Sequence, residues 1–199
     1  MMTLYSDPIC PYSHRTRLAI TEKDIAVTIR NSRLEPWSEE IAASVPYGNS
    51  PVLVNRDTIL FDSVIIIDYL DARFLQAPLY PLEPAAKAKL KLMLHRIDHD
   101  WYALWDALSD TKKAKMAAAK RTLREDLTVL SPLFETGPYF MSETFSILDC
   151  SLAPLLWRLP LLNITLPDKA KAVETYANRL FDRPSFKASL TNEERAMRP

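Results

Sequence analysis

Near residue 75 the hydrophobic pattern of this chain changes period and does not change back, so the chain must fold as two dissimilar parts. Before that point short strand-like runs alternate with helix-like ones. Thr3-Leu4-Tyr5, preceded by Met2, reads as a strand, His14 to Glu22 as a helix, and Ala26 to Arg30 as a second strand. Glu39 to Ser44 is helical, Pro51 to Val54 and Thr58 to Phe61 are strands joined by Asn55-Arg56-Asp57, and Ser63 to Phe74 is a helix. Beyond it the period is helical throughout. Leu90, Leu94, Ile97, Trp101, Leu104 and Leu108 recur every three or four residues, and Leu123, Leu127, Leu130 and Phe134 repeat the spacing. Pro78 and Pro81, in Leu75-Gln76-Ala77-Pro78-Leu79-Tyr80-Pro81, stop the preceding helix from running on. We therefore expect an α/β domain over residues 1–76, a linker at 77–82 and an all-helical domain over 83–199.

The βαβαββα order of the first part is that of a thioredoxin-like domain. Cys10-Pro11-Tyr12-Ser13 lies between its first strand and first helix. That position sets one thiol at a helix N-terminus, where orphan amides and the helix dipole lower a thiol pKa, while the nearby Asp7 acts to raise it. In Ser50-Pro51 a proline opens a strand after a turn, where a cis peptide is tolerated and leaves the Ser50 backbone to pair with an extended thiol ligand such as glutathione. Asp62-Ser63 opens a helix, where Ser63 and the first amides can hold a carboxylate. Together Cys10, Ser50, Pro51, Asp62 and Ser63 form a candidate glutathione site. Each also has a purely structural use: Asp62 and Ser63 cap helices regardless of ligand, and the proline serves the turn.

Other functions are excluded by composition. Lys+Arg and Asp+Glu both number 25, so no global field draws the chain to nucleic acid or to an anionic membrane, and any DNA association is expected to be indirect. No apolar run reaches the about 18 to 20 residues of a membrane span, and Met1-Met2-Thr3-Leu4 lacks a basic start or cleavage site. A cytoplasmic location is the expectation. With only Gly48 and Gly137 there is no glycine-rich phosphate cradle. Cys10 and Cys150 are too few for a disulfide framework. Cys150, flanked by Leu148 and Leu152, reads as a small buried hydrophobe. His95 and His99 share a helix face, but no Glu follows His95 as the helical zinc motif requires, and no metal is expected. Ser146-Ile147-Leu148-Asp149 is a capping box with a folding role, and Pro154 falls inside the helix it opens, where a kink is expected. Lys112, Lys113, Lys115, Lys120, Arg121 and Arg124 read as a solvated helix face, since Glu125 and Asp126 follow at once.

The two-part organisation and the capping box resemble the glutathione S-transferase superfamily over nearly the whole chain. Within it, three strings resemble the stringent starvation protein A family: Phe61 to Phe74, Met93 to Tyr102 and Leu152 to Pro160; the tail Ser185 to Arg195 adds to them. The resemblance implies a homodimer without transferase activity that binds RNA polymerase holoenzyme, contacts its σ subunit and redirects transcription in starvation or acid stress, with no cofactor. The family's polymerase-binding surface includes a Pro-His-Pro linker element. Here Leu75-Gln76-Ala77, followed by Pro78, stand at those positions and are the expected partner contact. Members of the family commonly lack the first-turn cysteine, whereas Cys10-Pro11-Tyr12-Ser13 looks like the single-thiol motif of glutaredoxins and omega-type transferases. That supports an alternative, a glutathione-dependent thiol transferase or dehydroascorbate reductase with Cys10 as nucleophile.

Overall fold

The computed structural model describes residues 2–108 and 113–198. These divide into two compact units, one of residues 2–79 with 183–197 and one of the described residues between 80 and 182 with Arg198. The tail is thus a correction to the expected boundary, because residues 183–197 cluster with the first unit and not with the helices that precede them in sequence.

In the first unit, strands β1 (Met2–Ser6), β2 (Thr28–Asn31), β3 (Val52–Asn55) and β4 (Thr58–Phe61) form one sheet in the order β2-β1-β3-β4. β1 and β2 are parallel and the other pairs antiparallel. Side chains alternate across the pleat. Met2, Leu4 and Leu53 join Ile20, Ile66 and Leu70 of helices α1 (Pro11–Glu22) and α3 (Ser63–Arg73) in one core. On the opposite face Val52 packs with Ile41 of α2 (Glu39–Ser44) and with Val45, and Tyr5 and Trp37 rest against them. This is the expected thioredoxin-like layering.

Two boundaries move, each for a local reason. α1 begins at Pro11 and not near His14, because Pro11 takes the first helical position, where its fixed φ suits the helix and its missing N–H costs nothing. β2 begins at Thr28 and not at Ala26, because the amide of Ile25 still bonds the carbonyl of Ile20 (3.0 Å). Register with β1 starts only at Thr3 opposite Thr28.

The tail is fixed by buried polar contacts. Helices α9 (Pro184–Ser189) and α10 (Asn192–Arg195) follow the second unit in sequence. Glu194, fully buried, accepts from Arg17 Nη2 (2.6 Å) and lies 3.3 Å from His14 Nδ1. Arg17 also donates to the Ser189 carbonyl (2.9 Å), the Ser6 hydroxyl (2.5 Å) and the Asp7 carbonyl (3.2 Å). Glu22 receives Arg183 and the Ser185 hydroxyl. Taking one member from such a network leaves an uncompensated buried charge, which is why the network dictates where the tail packs.

In the second unit a long helical run comprises α4 (Pro84–Arg96), a π-helical turn (Ile97–Tyr102) and α5 (Ala103–Leu108). It is followed by α6 (Lys113–Val129), α7 (Ile147–Trp157) and α8 (Lys171–Phe181). Leu94, Ile97, Trp101, Leu123, Leu127 and Phe134 are buried, as their spacing predicts. α7 continues through Pro154 as a single element, and Cys150 within it is fully buried. Of the basic stretch, Lys112 lies outside the described residues, while Lys115, Arg121 and Arg124 are exposed.

The capping box has a wider role than its motif suggests. Asp149 Oδ2 accepts from the Ser146 amide (2.8 Å), while Oδ1 accepts from the Phe140 amide (2.9 Å) and the Tyr176 hydroxyl (2.7 Å). One carboxyl thereby joins the head of α7, the preceding loop and α8. Burial pushes the Asp149 carboxyl above its ordinary range against the pull of these hydrogen bonds, and burial followed by the Asp149 charge raises the Tyr176 hydroxyl well above its own. A carboxyl raised on folding binds its proton more tightly in the native state, so its contribution to stability is fully present below the ordinary carboxylate range and declines as pH rises through the raised value. Asp149→Ala should cost about 3 kcal/mol by leaving buried donors unmatched, lowering Tm by roughly 6–12 °C in a thermal melt. The loss should grow toward acid pH.

Candidate functional site

The register of the sheet brings the predicted site residues to one end of the first unit. Tyr5 lies opposite Val52, and Val52 opposite Phe61. The turn leaving β1 toward Cys10, the approach to β3 through Ser50-Pro51, and the step from β4 to Asp62-Ser63 therefore open from the same sheet edge. β2 ends there too, since Ser6 pairs with Asn31.

Cys10 is the N-cap residue of α1, half-buried, with extended backbone angles and no hydrogen bond from its side chain to the helix amides. Asp7 shapes the turn before it. Its Oδ1 accepts from the amides of Ile9 (2.8 Å) and Cys10 (3.1 Å), and Oδ2 from Arg33 Nε (2.7 Å). Ser13, three residues beyond Cys10, is fully buried and accepts the Asp7 amide through its hydroxyl (3.1 Å). A serine committed to the turn occupies the place of a second thiol, so any chemistry at Cys10 is monothiol chemistry.

The Ser50–Pro51 peptide is cis, as expected, and the Ser50 hydroxyl donates to Ser32 Oγ (2.7 Å). Asp62 adopts φ 69° and caps α3, its Oδ1 accepting from the amides of Val64 (2.8 Å) and Ile65 (3.3 Å). Those two amides are thus already satisfied by the cap. Ser63 remains as a donor: its hydroxyl accepts from Arg15 Nε (2.7 Å) and retains its own proton for an acceptor. Arg15 is itself buried, with its guanidinium carbon 5.3 Å from the Tyr12 ring centroid.

The predicted partner contact is a separate surface. Leu75, Gln76, Ala77 and Pro78 are all exposed, Leu75 at 82 %. Behind them Lys23, 4 % exposed, donates from one Nζ to Asp71 Oδ1 (2.7 Å) and to the carbonyls of Gln76 (2.8 Å) and Ala77 (3.0 Å). Asp71 Oδ1 also accepts the Leu79 amide (2.8 Å). Three acceptors use the full donor capacity of the ammonium and fix the linker backbone, including the left-handed φ of 46° at Ala77.

Sequence reasoning missed Lys23, Arg15, Arg17 and Glu194, because each works through partners distant in sequence. A local signal existed for Glu194, since Thr191-Asn192-Glu193-Glu194 is a capping-box pattern, which the structure shows formed. His95 and His99 are exposed with ring centroids 6.0 Å apart, and among the described residues no three His, Cys, Asp or Glu side chains gather as a metal site.

The family model of the glutathione S-transferase N-terminal domain matches residues 4–78, and that of the C-terminal domain matches residues 72–184. The chain is 38 % identical over 199 residues to a stringent starvation protein A homolog of Coxiella burnetii, covering 100 % of this chain and 95 % of that protein. It is 41 % identical over 191 residues to the homolog of Pasteurella multocida, covering 96 % and 90 %. A crystal structure of a glutathione transferase from Methylococcus capsulatus superposes with a TM-score of 0.84 at 21 % identity, covering 99 % of this chain and 98 % of that one. With thioredoxin-like layers carrying a thiol at a helix N-cap position and a cis-proline at the same end of the sheet, a helical unit built on a buried capping box, and nearly full-length identity of this order, the chain belongs to the stringent starvation protein A family within the glutathione S-transferase superfamily.

Proposed function

We propose that this chain is a transcription regulator that associates with RNA polymerase holoenzyme, including its σ subunit, and acts in starvation or acid stress without transferase activity. It works in the cytoplasm as a homodimer. The linker Leu75 to Pro78 is the contact. The observation that carries this reading is the Lys23 clamp, which holds the backbone carbonyls of Gln76 and Ala77 next to an exposed apolar Leu75. A preordered exposed segment loses less conformational freedom on binding, and a solvent-facing leucine is an anchor a partner can bury. Charge neutrality supports an association through protein and not through the phosphate backbone.

A second reading rests on Cys10 at the head of α1 and the cis Ser50–Pro51 peptide at the same end of the sheet. In a glutathione-dependent thiol transferase the Cys10 thiolate would attack a protein–glutathione mixed disulfide, releasing the protein thiol and taking the glutathionyl group. A second glutathione thiolate would then displace Cys10 and leave as glutathione disulfide. Ser63 and the Ser50 backbone would hold the tripeptide, the only cofactor this reading requires.

Size-exclusion chromatography with RNA polymerase holoenzyme in moderate salt tests the first reading. The wild-type chain and Cys10→Ser should co-elute equally. Replacing Gln76, Ala77 and Pro78 together should weaken association about tenfold, and unchanged association would remove the linker from the interface. Failure of both the wild type and Cys10→Ser to co-elute would contradict polymerase association itself. In a mixed-disulfide reduction assay with glutathione the wild type should show no turnover above the uncatalysed rate; turnover abolished by Cys10→Ser would establish the second reading instead.

A further inference from the structure

The second unit contains a cavity that neither reading of the function uses. Its volume is about 420 Å3, inside the roughly 300–1,000 Å3 range of small-molecule sites. It opens between the π-helical turn and the C-terminal end of α6. Ile97, Trp101, Val129 and Phe140 are among its apolar walls, while among the described residues its charged groups are the carboxylates of Asp100, Glu125 and Asp126 against the guanidinium of Arg96.

The π turn is independent of that volume and points to the same place. It covers Ile97–Tyr102, and the amide of Ala103 reaches back five residues to the Asp98 carbonyl. Such turns are rare inside helices and concentrate at functional sites, because the widened turn redirects side chains. Here Ile97, Asp100 and Trp101, all from this turn, line the cavity.

Charge selects the ligand class. Asp100 is partly satisfied by Arg96 (3.8 Å) and His99 (3.1 Å), and Asp126 accepts the Trp101 indole N–H (3.3 Å). Glu125 makes no ion pair among the described residues. An anionic ligand meets a carboxylate excess at this cavity, and a neutral one leaves that excess unused.

We propose that this cavity binds a small organic cation with an apolar body, an amine carried on an aryl or alkyl chain. The body packs against Ile97, Trp101 and Val129, and the ammonium group lies at Glu125 and Asp126.

Three isosteric probes, 4-phenylbutylamine, 4-phenylbutanol and 4-phenylbutyrate, titrated calorimetrically into the full chain, test this. The amine should bind about fivefold more tightly than the alcohol, with the butyrate weakest. Glu125→Gln should reduce the amine to the affinity of the alcohol, and Val129→Trp should abolish binding of both. Both positions are exposed, so thermal melts of the two variants should match the wild type and separate loss of the site from loss of the fold. Equal affinity for all three probes, or amine binding unchanged in both variants, would overturn the proposal. So would absence of amine binding together with a lower sedimentation coefficient for Val129→Trp, which would show that a second copy of the chain covers the cavity.

Discussion

Everything at the candidate site depends on how β3 lies between its neighbours. With Tyr5 opposite Val52 and Val52 opposite Phe61, the ends of β1 and β4 and the start of β3 fall at the same sheet edge. A slip of one residue would exchange the two faces, carrying Leu53 out of the core it shares with Leu4 and Ile66 and bringing Val52 in from the side covered by α2. Hydrophobic burial thus fixes the register, and the register brings Cys10, Ser50-Pro51 and Asp62-Ser63 to one edge. None of these residues needs a long-range contact of its own to reach it.

Buried charges do a different task. Lys23 with Asp71, and Arg17 with Glu194, remove ions from water and recover the cost because Lys23 finds three acceptors and Arg17 four. Their effect is positional. Arg17 ties the tail to the turn before Cys10 through Ser6 and the Asp7 carbonyl, and Thr191 adds a bond to the Pro8 carbonyl (2.8 Å). Lys23 sets the backbone of the linker. Arg17 lies within α1 and Lys23 is its C-cap residue, so this one helix, with the Cys10 thiol at its N-cap, also carries the anchor of the tail and the anchor of the linker.

The sequence was most legible where structure follows from local pattern. The strand and helix order, the cis-proline, the N-cap of α3 and the stripe from Leu94 to Trp101 all rest on period or on near neighbours, and all are present. The tail was misassigned because its place is decided by Glu194 meeting Arg17, a pairing 177 residues apart in sequence. The linker clamp was unreadable for the same reason: Lys23 looks like an ordinary charged residue at the end of a helix. The π turn keeps an apolar spacing that a regular helix also satisfies, so the pattern across Ile97 and Trp101 predicted burial without the widened turn. At the site itself the residues were legible but not their distant hydrogen bonds, as Ser63 accepting from Arg15, 48 residues away in sequence, illustrates.

The chain has kept a glutathione-transferase framework and presents two surfaces on its first unit, an edge with one thiol at a helix N-cap position and a clamped, exposed linker. The central claim is that the linker is the working surface. Backbone hydrogen exchange across residues 75–79, measured with and without RNA polymerase holoenzyme, tests it directly. The proposal predicts that the exposed amides of Gln76 and Ala77 slow by at least about tenfold on addition of holoenzyme while the amides around Cys10 are unchanged. Protection confined to the Cys10 turn, or no protection anywhere, would contradict it.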